Sequence, residues 1–196
     1  MKTTISKTNN RLNLPTFIIM LLISSAAFSA FGQNKCKNLL RAVKSNNITK
    51  VTELLKISEP DCVYRGDGEP RSPLVAAARN ENQTIAKLLI EAKANVEFHA
   101  RGDESPLIAA SKTGDVEMVK YFISKGAEIN SKVRGNGTAL IASVRNKHYE
   151  VSKLLLEKGA DPYLTTPGDE YPMYHARQSK NKRMITLLES YAKSQN

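Results

Sequence analysis

The sequence predicts an all-α solenoid in which short helix pairs stack side by side. The first observation is a period of 33 residues, since Ser72, Ser105 and Thr138 stand 33 apart and their neighbours repeat at the same spacing. The second is that each period contains a run of small residues followed by a stripe of large apolar ones. The third is the composition: 41% hydrophobic and 24% charged residues in a chain of 196 are ordinary for a folded protein and exclude a disordered one.

Each period predicts two helices. A Ser/Thr-Pro step, as at Ser105-Pro106, favours the start of the first helix, because the hydroxyl caps free backbone N–H groups and proline is tolerated in the first turn. The alanines that follow allow neighbouring first helices to approach closely. Apolar residues at helical spacing then form one stripe of the second helix. The stripe residues are Ile85, Leu88, Leu89, Met118, Tyr121, Phe122, Val151, Leu154, Leu155, Met184, Leu187 and Leu188.

Glycines predict where the second helices end and where the chain turns towards the next unit. Gly126 and Gly159 follow the second helices and are suited to a left-handed cap. Glycine-rich turns at 66–68, 101–103 and 134–137 are expected to project as hairpin-like fingers.

Three segments of one period together resemble an ankyrin repeat: 105–110 (SPLIAA), 114–120 (GDVEMVK) and 126–130 (GAEIN). The resemblance covers about residues 37–196 and implies an ankyrin-repeat solenoid of about five repeats including caps. The expected units are a degenerate N-terminal cap repeat at 37–65, repeats at 66–98, 99–131 and 132–164, and a C-terminal cap repeat at 165–196. The first unit is expected to be one residue longer than the later units, so that Asn47 takes the place that Gly114 has in the unit 99–131.

The chain departs from the family at one position in each unit. Ankyrin repeats commonly have histidine after the Thr-Pro-Leu step, whereas this chain has Val75, Ile108, Ile141 and Tyr174 there. We therefore expect apolar packing to replace the usual hydrogen bonds between repeats.

Residues 1–32 have the layout of a secretory signal peptide. Lys2, Lys7 and Arg11 precede an apolar stretch at 17–28, and small residues follow it. Ala30 and Gly32 favour cleavage before Gln33, and Ser29 with Ala27 offers a second cleavage site. The alternative is an uncleaved membrane anchor, although the apolar stretch is shorter than the roughly 20 residues of a spanning helix.

Cleavage leaves a domain at 33–196 and lowers the formal net charge from +10 to +7, because the leader contains three basic and no acidic residues. The expected compartment is periplasmic or secreted. No stable membrane insertion is expected after cleavage, and we expect a monomer.

The two cysteines flank the first helix pair. Cys36 precedes the first helix and Cys62 follows the second, and antiparallel helices bring these ends together. In an oxidising compartment a Cys36–Cys62 disulfide would close a loop of about 27 residues and stabilise the fold by roughly 3 to 4 kcal/mol. Two free thiols are the alternative.

Catalytic, metal and cofactor sites are not indicated. His99, His148 and His175 lie far apart in the repeat array, and the sequence has no zinc-binding helix motif, serine elbow or complete phosphate loop. Two cysteines are too few for a four-cysteine zinc site. We therefore expect no enzyme activity and no cofactor.

The resemblance implies protein binding through the finger tips and the exposed ends of the first helices. At these positions the repeat register predicts a mostly basic stripe, which fits a partner with an acidic surface. The stripe is formed by Arg71, Arg79, Arg101, Glu104, Lys112, Arg134, Arg145 and Gln178. Reversing Arg79, Lys112 and Arg145 to glutamate is expected to slow association with such a partner.

These observations favour an extracytoplasmic, non-catalytic scaffold or adaptor that binds another protein. The first alternative is an inhibitor or immunity-type protein that occludes an enzyme or toxin through the same surface. The second is a binder of anionic envelope polymer or lipid, whose affinity would collapse with salt. The export signal disfavours nucleic acid as a partner, despite the net positive charge.

Overall fold

The computed structural model describes residues 34–66, 71–166 and 171–193, together with Gly32. These residues form ten helices in five pairs. The first pair is α1 (34–44) and α2 (Ile48–Leu54), followed by α3 (Pro73–Arg79), α4 (Gln83–Glu91), α5 (Pro106–Thr113), α6 (Val116–Ser124), α7 (Ala139–Arg145), α8 (Tyr149–Glu157), α9 (Pro172–Gln178) and α10 (Lys182–Lys193). Residues 1–31 of the predicted leader (1–32), Gln33 at its cleavage site, the finger residues 67–70 and 167–170, and residues 194–196 of the predicted C-terminal cap lie outside the described residues.

The helices form the two layers expected of the solenoid. The first helices pack in order, α3 against α5, α5 against α7 and α7 against α9. The second helices form the other layer, with α2 against α4, α6 against α8 and α8 against α10. Each unit therefore contacts its neighbours in the chain, as in other repeat proteins.

Small residues fill the buried side of the first helices. Ala77, Ala110 and Ala142 are fully buried, and Ser143 is buried against Ser152 of α8, with 2.8 Å between the two hydroxyl oxygens. Because an alanine or serine side chain is short, the helix axes can approach to the lower end of the usual packing distance. The run of small residues in each period is thus the direct cause of the first layer.

The expected apolar replacement of the family histidine is confirmed in three units. Val75, Ile108 and Ile141 are fully buried among the first helices. Tyr174 differs, since 38% of it is exposed at the last unit.

The second-helix stripe forms the rest of the core. Ile85, Phe122, Leu155 and Leu188 are fully buried, and one continuous cluster extends from Leu39 to Leu188. Leu88 and Tyr121 lie at the edge of the stripe and are half-buried. The predicted periodicity therefore identifies the core face of each second helix correctly.

Side-chain capping follows the predicted pattern in two of the Ser/Thr positions. Ser105 Oγ accepts the N–H of Ile108, and Thr138 Oγ1 accepts the N–H of Ile141. Ser72 makes no such cap; its backbone N–H instead donates to Asp103 Oδ2 at 3.4 Å. This exception ties the start of α3 to the finger of the next unit.

Left-handed residues mark the ends of the helices. Gly126 and Gly159 follow the second helices with φ of 92° and 93°, as predicted. After the first helices, the left-handed residue of the central unit is Gly114, at φ 86°. In the first unit it is Asn46, at φ 54°, and the expected match of Asn47 with Gly114 was wrong. Asn47 instead caps α2 by accepting the N–H of Lys50.

The predicted disulfide is present in the first unit. Cys36 and Cys62 are bonded with a Cα–Cα distance of 5.7 Å and a sequence separation of 26. The bond joins α1 to the chain beyond α2, and Cys36 is buried. Within the residues that the structure describes, no helix is both long and apolar enough to cross a membrane.

We expect Gly114→Ala to destabilise the fold more than Gly126→Ala. Both glycines have positive φ, so an alanine costs roughly 1 to 2 kcal/mol of backbone strain at either site. At Gly114 a Cβ would also collide with the ring of His148, whereas at Gly126 it would meet no atom within 4 Å. Urea unfolding should show the larger loss for Gly114→Ala.

A double-mutant cycle separates the backbone strain at Gly114 from the collision with the ring of His148. His148 donates from Nε2 to the carbonyl of Lys112 at 2.9 Å, so His148→Ala alone loses about 1 kcal/mol. In that background Gly114→Ala should cost no more than Gly126→Ala. An undiminished cost would contradict the proposed collision.

Removing the disulfide should destabilise the first unit. We expect Cys36→Ser/Cys62→Ser to lower the free energy of unfolding by about 2 to 4 kcal/mol, because the unfolded chain gains the freedom of the opened loop. Urea unfolding measures the loss, and reductant should lower the stability of the wild type but not that of the variant. Two alkylatable thiols in the native oxidised protein would contradict the bond.

Candidate functional site

The predicted stripe residues lie on one surface of the solenoid. Arg79, Lys112, Arg145 and Gln178 occupy corresponding positions near the C-terminal ends of α3, α5, α7 and α9. The remaining members belong to the fingers between units: Arg71, Arg101, Glu104 and Arg134. We call the surface formed by the fingers and the exposed ends of the first helices the concave face.

Two stripe cations are held in a network of ion pairs with one finger. Arg79 Nη2 lies 3.0 Å from Asp103 Oδ1, and Arg79 Nε lies 2.6 Å from Glu104 Oε1. Lys112 Nζ pairs with the other oxygen, Glu104 Oε2. Lys112 also donates to Asn136 Oδ1 at 3.1 Å in the next finger. One carboxylate, that of Glu104, thus links cations from two consecutive first helices.

The acids of this network are far more buried than the cations. The side chains of Asp103 and Glu104 are 1% exposed, against 25% for Arg79 and 35% for Lys112. Asp103 also accepts the backbone N–H groups of Ser72 and Glu104. Two buried carboxylates are costly without partners, so Arg79 and Lys112 are needed to hold this finger in place.

Burial sets the protonation behaviour of Asp103. Its pKa is raised above the usual aspartate range because the carboxyl is removed from water, while the guanidinium of Arg79 and the two N–H donors act in the opposite direction. The native state therefore holds this proton more tightly than the unfolded chain does. The contribution of Asp103 to the free energy of unfolding is therefore present at low pH and is lost as the pH rises through the raised pKa.

The network changes which stripe residues offer free positive charge. The charges of Arg79 and Lys112 are balanced by those of Asp103 and Glu104, so these four residues together contribute little to the positive electrostatic potential at the surface. Arg101 and Arg134 are exposed at their fingers, and neither forms an ion pair within the part of the chain that the structure describes. Gln178 is exposed at the end of α9. Arg145 is exposed at the end of α7 and has an interaction of its own within the protein.

The sequence prediction omitted the cations of the first unit. Asn46 and Glu81 are the left-handed residues that follow the first helices of the first two units, and they lie 35 rather than 33 residues apart. With that offset, Lys44 corresponds to Arg79 and extends the stripe by one unit. The pair Asn46-Asn47, matching Glu81-Asn82, is the signal in the sequence that would have revealed it.

The acidic side chains of this site have a structural role. Across residues 34–66, 71–166 and 171–193, no group of three or more His, Cys, Asp or Glu side chains could hold a metal ion. The buried acids are joined to cations rather than left facing a cavity. The arrangement is suited to holding a finger rigid beside exposed positive charge.

The family profile described as "Ankyrin repeats (3 copies)" matches residues 39–133 and 98–166. The chain belongs to the ankyrin-repeat family. No curated protein sequence matches it significantly. Among solved structures it is similar to the human ASB11 ankyrin repeat domain, with a TM-score of 0.69 and 23% sequence identity over 78% of this chain and 67% of that one. This likeness concerns the fold, and ankyrin repeats are generally non-catalytic modules that bind proteins.

We expect Arg79→Gln to destabilise the protein by about 2 to 3 kcal/mol at neutral pH, because it leaves buried carboxylates without their guanidinium partner. It should also raise the pKa of Asp103 further, as seen by carboxyl-carbon NMR titration. The loss of stability should shrink in acid, where the carboxyls become protonated.

Arg101→Gln is the matched control. This arginine is exposed at the tip of the same finger, so its removal should change the free energy of unfolding by no more than about 0.5 kcal/mol. Urea unfolding at neutral and acidic pH measures both variants. Equal losses for the two variants would contradict the structural role of Arg79.

Proposed function

We propose that this ankyrin-repeat protein is a non-catalytic scaffold or adaptor that works outside the cytoplasm and holds an acidic partner protein on its concave face. The observation that supports this most directly is the exposed positive charge of Arg101 and Arg134 on the fingers between units. Those charges lie on the surface by which ankyrin repeats generally bind proteins.

The distribution of charge supports an acidic partner. Among the described residues of the concave face the acids are Asp103 and Glu104, and both are buried and paired. The second helices differ, since their exposed faces contain both signs, as in the pairs Lys120–Glu117 and Lys153–Glu157. A partner with negative charge would thus be drawn to the concave face rather than to the opposite one.

The footprint follows from the ion-pair network. Arg79 and Lys112 have a positioning role, since they fix the finger that presents Arg101. The partner would contact the outer members of the predicted stripe: Arg71, Arg101, Arg134, Arg145 and Gln178. Replacing Arg79 or Lys112 by glutamate would place a third acid beside the buried Asp103 and Glu104. A loss of binding in such a variant would therefore report unfolding of the finger.

Two features support an extracytoplasmic compartment. The first is the leader at 1–32, with its basic start and apolar stretch. The second is the Cys36–Cys62 disulfide, a bond that persists in oxidising compartments and is rare in the cytosol. The two features are independent of each other and favour the same location.

The test is capture of a partner from an envelope or secreted fraction by the purified protein with its disulfide intact. We expect Arg101→Glu/Arg134→Glu to slow association with the captured protein by about tenfold at low salt. The difference should shrink as salt is added, because exposed charges are screened. Surface plasmon resonance at several salt concentrations measures the rates.

The matched control is Lys87→Glu/Lys182→Glu, which changes the net charge equally on the second helices. Both lysines are exposed, and neither forms an ion pair within the described part of the chain. Equal slowing by both double variants would contradict a footprint on the concave face. An assay of the captured partner's own activity then separates a scaffold, which leaves it unchanged, from an inhibitor.

A further inference from the structure

Two consecutive fingers present an exposed arginine from the same kind of turn. In the turns 100–103 and 133–136 the N–H of the fourth residue donates to the carbonyl of the first, at 2.8 Å and 2.9 Å respectively. The second residue is Arg101 in one turn and Arg134 in the other, and both are exposed. The third residue is a glycine at positive φ in each turn, with φ of 90° and 81°. The two arginines therefore occupy equivalent positions in equivalent turns.

The fourth residue of each turn is held by a cation from the first helix of the preceding unit. Asp103 Oδ1 lies 3.0 Å from Arg79 Nη2. In the next unit Lys112 Nζ donates to Asn136 Oδ1 at 3.1 Å, and each of the two contacts joins residues 24 apart. Because Arg79 and Lys112 are one period of 33 residues apart, the same contact fixes both turns.

Lys112 also joins the two turns to each other. Its Nζ pairs with Oε2 of Glu104, a buried residue that directly follows the first turn. The same ammonium group donates to Asn136 in the second turn. One lysine thus contacts both fingers, and moving one turn relative to the other would break one of its two contacts.

The distance between the two turns is set by the stacking of their units. The first helices of these units, α5 and α7, pack directly against each other. Packed helices lie about 8 to 10 Å apart, so equivalent residues of the two units are separated by about the same distance. Two carboxylates on one face of a partner, at that separation, can contact both arginines at once. A single exposed ion pair contributes little affinity, but the second contact then forms at high effective concentration.

We propose that Arg101 and Arg134 form a two-arginine site that recognises a pair of carboxylates about one repeat apart on one face of the partner protein. Lys112 is the positioning residue that keeps the arginines at this separation. The inference rests on the proposed function and identifies the pattern of acids that the partner presents. Because each guanidinium offers parallel N–H donors to one carboxylate, the site selects the spacing of the acids as well as their charge.

The probes are three polyproline peptides that each contain two glutamates and the same flanking prolines. The polyproline helix has three residues per turn and rises about 3.1 Å per residue, so Glu-Pro-Pro-Glu places both carboxylates on one face about 9 Å apart. In Glu-Pro-Glu and Glu-Pro-Pro-Pro-Glu the carboxylates lie on different faces, about 6 and 12 Å apart along the helix. The three peptides have the same charge and differ only in the placement of the acids.

Binding to the purified, disulfide-bonded protein is measured by two-dimensional NMR titration at low salt, with the amide signals of Gly102 and Gly135 as reporters. We expect Glu-Pro-Pro-Glu to shift both signals together and to bind about threefold or more tightly than the other two peptides. Arg134→Gln should remove this preference. Lys182→Gln, which removes one positive charge from α10, should retain it. Equal affinity of the wild type for the three peptides, or no binding of any of them, would overturn the two-arginine site.

Lys112→Met tests the positioning role, and Lys120→Met is the matched control, since Lys120 pairs with Glu117 in its own helix. We expect Lys112→Met to bind all three peptides with the affinity that the wild type has for the two mismatched ones. Lys120→Met should keep the preference of the wild type. If Lys112→Met unfolds the finger, Asn136→Ala replaces it, because that variant removes the contact with the second turn and leaves the pair with Glu104. An undiminished preference in the folded variant would overturn the positioning role of Lys112.

The captured partner distinguishes failure of the two-arginine site from failure of the proposed function. Association that is slowed by Arg101→Glu/Arg134→Glu, together with peptides that show no preference for spacing, overturns the two-arginine site and leaves binding on the concave face intact. Association that this double variant leaves unchanged contradicts the proposed function itself, whichever peptide binds most tightly.

Discussion

The close packing of the first helices at small residues is the constraint on which the rest of this protein depends. Ala77, Ala110 and Ala142 are fully buried in consecutive first helices, where a larger side chain would overpack the core. That contact sets the spacing of the units and hence the spacing of the fingers. A residue in one finger can then meet a first helix of the preceding unit, as Glu104 meets Arg79.

The buried carboxylates of the central finger divide the basic residues into two groups. Arg79 and Lys112 balance Asp103 and Glu104 and belong to the scaffold. Arg101 and Arg134 are exposed at their fingers and have no such acid among the described residues. The net charge does not distinguish the two groups, because a lysine in a buried ion-pair network and a lysine exposed to water add the same charge to the sum.

The core and the helix order follow from sequence because they depend on local pattern. The stripe at Ile85 and Leu89 and the caps at Ser105 and Thr138 are determined within a few residues, so they were predicted with their roles. The disulfide was also predictable, since Cys36 and Cys62 flank one antiparallel helix pair. The leader and the repeat boundaries remain predictions from the sequence.

The candidate site was predicted only in part. Period counting identified Arg79, Glu104 and Lys112 as neighbours on one face, but it assigned them to a partner's footprint. Burial was the missing information, since nothing local marks Glu104 as buried while Arg134, in the following finger, is exposed. The cations of the first unit were missed for another reason: two extra residues in that unit displaced Lys44 from its column.

The sequence by itself determined the solenoid, the core stripes, the pairing of the cysteines and the basic character of the concave face, because a repeated pattern places equivalent residues at equivalent positions. Only the tertiary structure decided which charges are balanced. Arg79 meets the carboxylates of Asp103 and Glu104, which lie 24 and 25 residues further along the chain in the next finger. These contacts form only when the two units have stacked.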